Sequence, residues 1–167
     1  MRTKSKRVAL LGVLTSLALV LSYLESLLPP ISTAAPGIKM GLPNIIIVFI
    51  LYKFGLKEAS VISLLRVFIV SIIMFGNVMT LAYSVAGAVL SLGLMALFKK
   101  LDWFSTVGVS IIGGISHNLG QILVAIFLFN TVQIGYYMIV LSITGTVAGV
   151  IIGIISSILV KKLEKIV

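Results

Sequence analysis

The sequence predicts an all-α fold: one polytopic membrane bundle of six transmembrane helices over residues 1–167, with both termini on the cytoplasmic side of the cell membrane. Three observations lead there. The 167 residues are 60% hydrophobic and only 10% charged, with a mean hydropathy of +1.27, whereas soluble domains are about 45–50% apolar. The apolar residues fall into six runs that cross, or nearly cross, ~30 Å of hydrocarbon at 1.5 Å per helical residue. The cations gather between alternate runs rather than spreading evenly. No low-complexity linker or charge shift divides the chain, so it reads as one domain.

In order, the runs are Val8 to Leu28, Met40 to Phe54, Ala59 to Phe75, Val78 to Phe98, Val107 to Phe129 and Ile134 to Val160. The first follows a basic stretch, Met1 to Arg7, as in a signal peptide. It is too long for a typical signal core and no A-x-A-like cleavage site follows, so a retained first helix is predicted. The second run is short, and is expected either to thin the bilayer locally or to begin in a buried re-entrant stretch.

The cations orient these spans. Arg2, Lys4, Lys6, Arg7, Lys53, Lys57, Lys99, Lys100, Lys161, Lys162 and Lys165 fall on one side, Lys39 alone on the other, and Arg66 inside the third span. Lys and Arg in short loops mark the cytoplasm, so an even number of crossings with both ends inside accommodates every one. A net charge of +9 therefore reflects topology and not a nucleic-acid surface. With no cysteine in the chain, thiolate catalysis, Cys-ligated metal centres and disulfides are excluded.

All four prolines, Pro29, Pro30, Pro36 and Pro43, lie in or beside the first outer loop, PPISTAAPGIKMGLPN. Proline fixes φ and removes a donor, and Gly37 and Gly41 allow turns that other residues cannot make. The loop is predicted to be a shaped, non-helical cap. It is either a plain connection or, carrying Lys39, a lid over a site that opens outward. The other outer turns, Phe75 to Asn77 and Asn130 to Gln133, are short by comparison.

Polar residues inside the spans are the candidate functional groups. Arg66 lies roughly 10 Å into span three, where an arginine costs at least about 2.5–3.5 kcal/mol unless paired or hydrated. Either it pairs with Glu25, near the outer end of span one, or it meets a negatively charged group on a substrate. Span five reads GGISHNLGQ, which puts Gly114, His117 and Gln121 on one face with Asn118 beside them. That face serves interhelical hydrogen bonding, ligand recognition or a proton relay. A lone histidine with no Cys, Asp or second His beside it is no metal site.

Small residues predict where helices meet. Gly113, Ser116 and Gly120 form such a face on span five. Ser84, Gly87, Ala88 and Ser91 do so on span four, and Gly145, Gly149, Gly153 and Ser157 on span six. Gly12 and Ser16 repeat the spacing on span one, for packing within the chain or for docking another membrane subunit.

No G-x-x-x-x-G-K-[ST] phosphate loop is present. The one aspartate is Asp102, so paired carboxylates able to hold magnesium are missing and the chain is not expected to be an enzyme. No cofactor is implied.

PGIKMGLPNI (Pro36 to Ile45), LKEA (Leu56 to Ala59), LLRV around Arg66, the AGAVLS run ending at Ser91 and SHNLGQ (Ser116 to Gln121) together resemble the Gx transporter family. Its members are also described as heptaprenyl diphosphate synthase component I. The resemblance spans most of the chain, although Pro43 stands where a smaller residue such as alanine is expected. The family is in turn similar to the substrate-binding S components of energy-coupling factor (ECF) transporters. That implies six helices, both termini inside, a first loop acting as a lid, and a vitamin-like small-molecule substrate. It also implies a membrane coupling subunit driven by two ATPases and docked on the first helix at Gly12 and Ser16. The implied substrate site comprises Lys39, Asn44, Arg66, His117, Asn118 and Gln121. The synthase description implies a rival: a membrane accessory in prenyl-quinone synthesis or flavin-linked electron transfer.

Overall fold

The computed structural model describes residues 2–27, 41–74, 78–130 and 132–163, and among them every regular element is helical. In chain order these are α1 (Arg2–Leu27), α2 (Asn44–Lys53), α3 (Leu56–Phe68), a π-helical stretch (Ile69–Met74), α4 (Val78–Leu101), α5 (Thr106–Phe129), a 3-10 turn (Val132–Tyr136) and α6 (Tyr137–Leu163).

Four stretches are long and apolar enough to cross a membrane: Ser5–Glu25, Leu81–Leu101, Thr106–Phe129 and Val132–Lys162. Large apolar side chains such as Val13, Val61, Phe68, Val89, Phe127, Ile143 and Ile151 are exposed on the bundle's outside. Ser63, Ser71, Ser91, Ser110, Ser116, Asn118, Ser156, Glu25 and Arg66 are buried within it. An apolar exterior around a polar interior is the arrangement lipid selects, because hydrocarbon offers polar groups no partners. The protein is a helical membrane protein.

α2 departs from the expectation of a second span starting at Met40. It has ten residues and rises only about 15 Å, half the hydrocarbon thickness. Ile45 to Leu51 are buried on every side, so the helix is sheathed in protein rather than lipid. Its start is fixed by Gly41, whose φ of +77° only glycine adopts easily, and by Pro43 at the cap position. At its other end the Phe54 and Gly55 amides donate to the Ile50 carbonyl, at 2.8 and 3.1 Å. Gly55, at φ +107°, turns the chain into α3. Lys99 on α4 closes this end: its ammonium donates to the Leu51 carbonyl at 2.6 Å and rests 4.9 Å above the Tyr52 ring. Arg7 on α1 pairs with Glu58 on α3 and lies 5.6 Å from the Phe54 ring centre. The cation-bearing ends of α1, α2, α3 and α4 therefore meet at one end of the bundle.

α4, α5 and α6 pack closely through the predicted glycines. A Cβ added at Gly114 would stand 2.5 Å from the Gly145 carbonyl oxygen, one at Gly149 2.6 Å from Ile111 Cα, and one at Gly153 2.7 Å from Val107 Cα. On the α4 side, a Cβ at Gly120 would stand 2.7 Å from the Ala86 carbonyl oxygen, and Ser91 donates to the Gly113 carbonyl at 2.9 Å. Backbones this near leave no room for side chains, which is the packing mode of small residues in membranes. On α6 the predicted face shifts by one at its end: Ser156, not Ser157, is fully buried and donates to the Ile45 carbonyl at 3.1 Å. By contrast Gly12 on α1 has no neighbour within 4 Å of an added Cβ.

Candidate functional site

A cavity of about 710 Å³ lies inside the bundle, walled by all six helices and the π-helical stretch. That volume is ample for an organic ligand of drug size, whose pockets run to roughly 300–1,000 Å³. It is elongated: its α5 wall extends from Ser110 to Phe129, about 28 Å of helix at 1.5 Å per residue.

The polar groups form a band across the middle. Arg66 lies ten residues beyond the start of α3 and His117 eleven beyond the start of α5, so each is about 15–17 Å along its helix. Both line the cavity, as do Asn44, Asn118, Gln121, Ser71, Tyr83 and Ser84. Arg66 is 91% buried, and its Nε is sealed from solvent with no hydrogen-bond partner. This is the one such side-chain atom among the described residues.

Glu25 lines the same cavity and its charge acts on Arg66, which is the expected pairing in its electrostatic form. Among the described residues a contact ion pair joins Arg7 to Glu58. The Glu25 carboxylate accepts from the Gly41 and Leu42 amides, the second at 3.3 Å. Backbone donors presented by the left-handed turn at Gly41 hold the carboxylate in place on the cavity wall.

On α5 the polar face divides its labour. The Asn118 amide nitrogen donates to the Leu141 carbonyl at 2.8 Å and fastens α5 to α6. His117 Nε2 and Gln121 Nε2 lie 3.1 Å apart one helical turn along, so the two side chains hold one another on the cavity wall. The imidazole ring packs over Gly87 of α4, where an added Cβ would stand 2.9 Å from it. Interhelical bonding and exposure to the cavity thus coexist on one helix face.

Five of the six expected substrate-site residues, Asn44, Arg66, His117, Asn118 and Gln121, converge on this one cavity. Lys39 lies outside the described residues, as do Pro29, Pro30, Pro36 and most of the first outer loop. Gly12 and Ser16 stand exposed on α1, apart from the cavity. Tyr83 and Ser71 were not legible as wall residues: nothing in their spacing marks them, and Ser71 owes its orientation to the π-helical stretch. Among the described residues no three His, Cys, Asp or Glu side chains gather as a metal site.

Fold and cavity define the class: a helical membrane protein that keeps a polar-banded chamber inside an apolar exterior. The family model for heptaprenyl diphosphate synthase component I matches residues 14–159, a stretch containing every cavity-lining residue named above. The chain belongs to that family. Comparison with curated proteins and with solved structures gave no match.

Proposed function

We propose that the chain is the substrate-binding integral membrane subunit of an ECF-type importer, for a small vitamin-like or isoprenoid- or flavin-related molecule. The observation that carries this reading is the cavity, on which the polar side chains of Arg66, His117 and Gln121 converge inside an apolar exterior. A protein that only bridged partners would gain nothing from enclosing a polar chamber of ligand size inside a membrane. In this reading the bundle crosses the cell membrane six times with both termini cytoplasmic. The short α2 completes a crossing together with the segment before it, and the shared cationic end faces the cytoplasm. The exposed Gly12 and Ser16 face of α1 docks a membrane coupling subunit that two ATPases drive. The chain itself catalyses no reaction.

Native mass spectrometry of the purified protein tests this. A small molecule retained one-to-one is the expected result. An empty protein that no vitamin, flavin or isoprenoid precursor stabilises would overturn it.

The family's description as a synthase component favours a second reading: a membrane accessory in prenyl-quinone synthesis or flavin-linked electron transfer. Co-purification of a prenyl synthase or flavoprotein, without any ATPase, is its signature.

A further inference from the structure

A second hollow lies on the flank of the bundle, and we infer that it seats an anionic glycerophospholipid, with the phosphate against Lys99 and Lys100 and one acyl chain along α4. The groove measures about 440 Å³ and shares no lining residue with the central cavity. One face of α4 forms its floor: Gly93, Ala96, Leu97 and Lys100 follow at i, i+3, i+4 and i+7. Leu56, the first residue of α3, adds an apolar wall. Gly93 keeps the groove open, since a Cβ added there meets nothing within 4 Å. At Gly87 on the same helix an added Cβ would stand 2.9 Å from the His117 ring. One glycine admits a neighbouring helix, and the other leaves space.

Depth supplies the kind of occupant. The 24 residues of α4 rise about 36 Å, beyond the ~30 Å of hydrocarbon. Its last turn, which carries Lys99 and Lys100, therefore reaches the headgroup layer. Gly93 stands about 10 Å back along the axis, among acyl chains. Leu56, Gly93 and Leu97 are exposed on the bundle's outside, so the groove opens to lipid. It changes from apolar to cationic where a phospholipid changes from chain to phosphate.

Charge selects the headgroup. Lys99 and Lys100 line the groove, and among the described residues no carboxylate does. Of the carboxylates nearby in the chain, Glu58 is engaged by Arg7 and Asp102 lies past the end of α4. An ammonium has three N–H donors. Lys99 directs one to the Leu51 carbonyl at 2.6 Å and approaches the Tyr52 carbonyl at 3.5 Å. Those contacts hold its charge at the rim and leave a donor for a phosphate oxygen, while Lys100 stands exposed beside it. A zwitterionic headgroup would bring its own ammonium against both lysines, whereas a headgroup with one net negative charge meets no such repulsion. Basic hollows between transmembrane helices hold anionic headgroups in this way.

The test is native mass spectrometry of the full chain released from nanodiscs that contain equal parts phosphatidylglycerol and phosphatidylcholine with matched acyl chains. A surface lysine favours an anionic lipid by roughly fivefold. One retained phosphatidylglycerol, preferred over phosphatidylcholine by about 25-fold, is therefore expected from two lysines. Lys100→Gln should lower the preference to about fivefold. Gly93→Leu, which fills the groove and leaves both lysines, should abolish the retained lipid. A control that replaces Lys161 and Lys162 by Gln removes two exposed cations outside the groove and should change nothing. No retained lipid, or equal retention of the two, overturns the inference. So does full retention in Gly93→Leu, or a loss in the control as large as in Lys100→Gln, which would mark diffuse surface charge. Because Lys100 is exposed, Lys100→Gln reads the site even if Gly93→Leu alters packing. Glycerol 3-phosphate, titrated in detergent, separates a free phosphate from a lipid: binding as tight as that of phosphatidylglycerol overturns the lipid assignment.

Discussion

Arg66 couples the cost of burial to the capacity to bind. A cation at mid-span costs about 2.5–3.5 kcal/mol when nothing compensates it, and here its Nε has no acceptor. Arg66→Leu should therefore leave unfolding in mixed micelles unchanged or shift it to higher denaturant, while ligand retention in native mass spectra disappears. Asn118 behaves oppositely. Its bond to the Leu141 carbonyl is structural, and Asn118→Ala should destabilise by roughly 0.6–1.7 kcal/mol in the same assay, the span found for membrane hydrogen bonds. That the two differ was only half legible in the sequence. An ionisable residue within an apolar run announces itself through its desolvation cost, so Arg66 and His117 stood out. Which acceptor a polar group meets depends on backbone brought from elsewhere. Glu25 accordingly also accepts from the turn at Gly41 and Leu42, and no spacing rule reveals that.

At the scale of helices, the four-residue repeat of small residues was the clearest signal, and the tight α5–α6 contact follows it. Gly149→Leu would drive a side chain into Ile111, whose Cα already lies 2.6 Å from an added Cβ. Overpacking of that kind costs about 1–3 kcal/mol, so a lowered thermal midpoint and broadened gel-filtration peak are expected. Gly93 on α4 provides the contrast: an added Cβ meets nothing within 4 Å, and Gly93→Ala should be neutral or stabilise by up to about 1 kcal/mol through helix propensity. Gly12→Leu should likewise fold normally, yet lose any coupling subunit in pull-downs if α1 docks one. The length of α2 was less legible. A buried helix and a lipid-facing one are both apolar all round, so the run from Met40 to Phe54 reads alike in either case. The stop at Asn44 comes from the turn at Gly41 and Pro43. The π-helical stretch after Phe68 has no sequence signature at all, since it arises from how α3 fits its neighbours.

For the whole molecule, the structure brings Arg7, Glu58 and Lys99 to one end, the end that the proposed topology places in the cytoplasm. α5 supplies a reference for testing it. Its 24 residues rise about 36 Å, more than the ~30 Å of hydrocarbon, so the exposed residues flanking it, Trp103 and Gln133, must lie on opposite faces. The chain contains no cysteine, which makes single-cysteine reporters clean without a background variant. Gln133→Cys should react with a membrane-impermeant maleimide in intact cells. Trp103→Cys and Ser5→Cys should react only after permeabilisation. The reverse pattern would invert the protein, put the end that carries Arg7, Glu58 and Lys99 outside, and overturn the proposed orientation. Reaction of both Ser5→Cys and Gln133→Cys from outside, with Trp103→Cys protected, would mean an odd number of crossings between Ser5 and Trp103. In that case α2 would not complete a crossing, and the cationic ends of α1 and α3, joined through Arg7 and Glu58, would have to separate. The ion pair and the labelling pattern thus test the same topology from two directions.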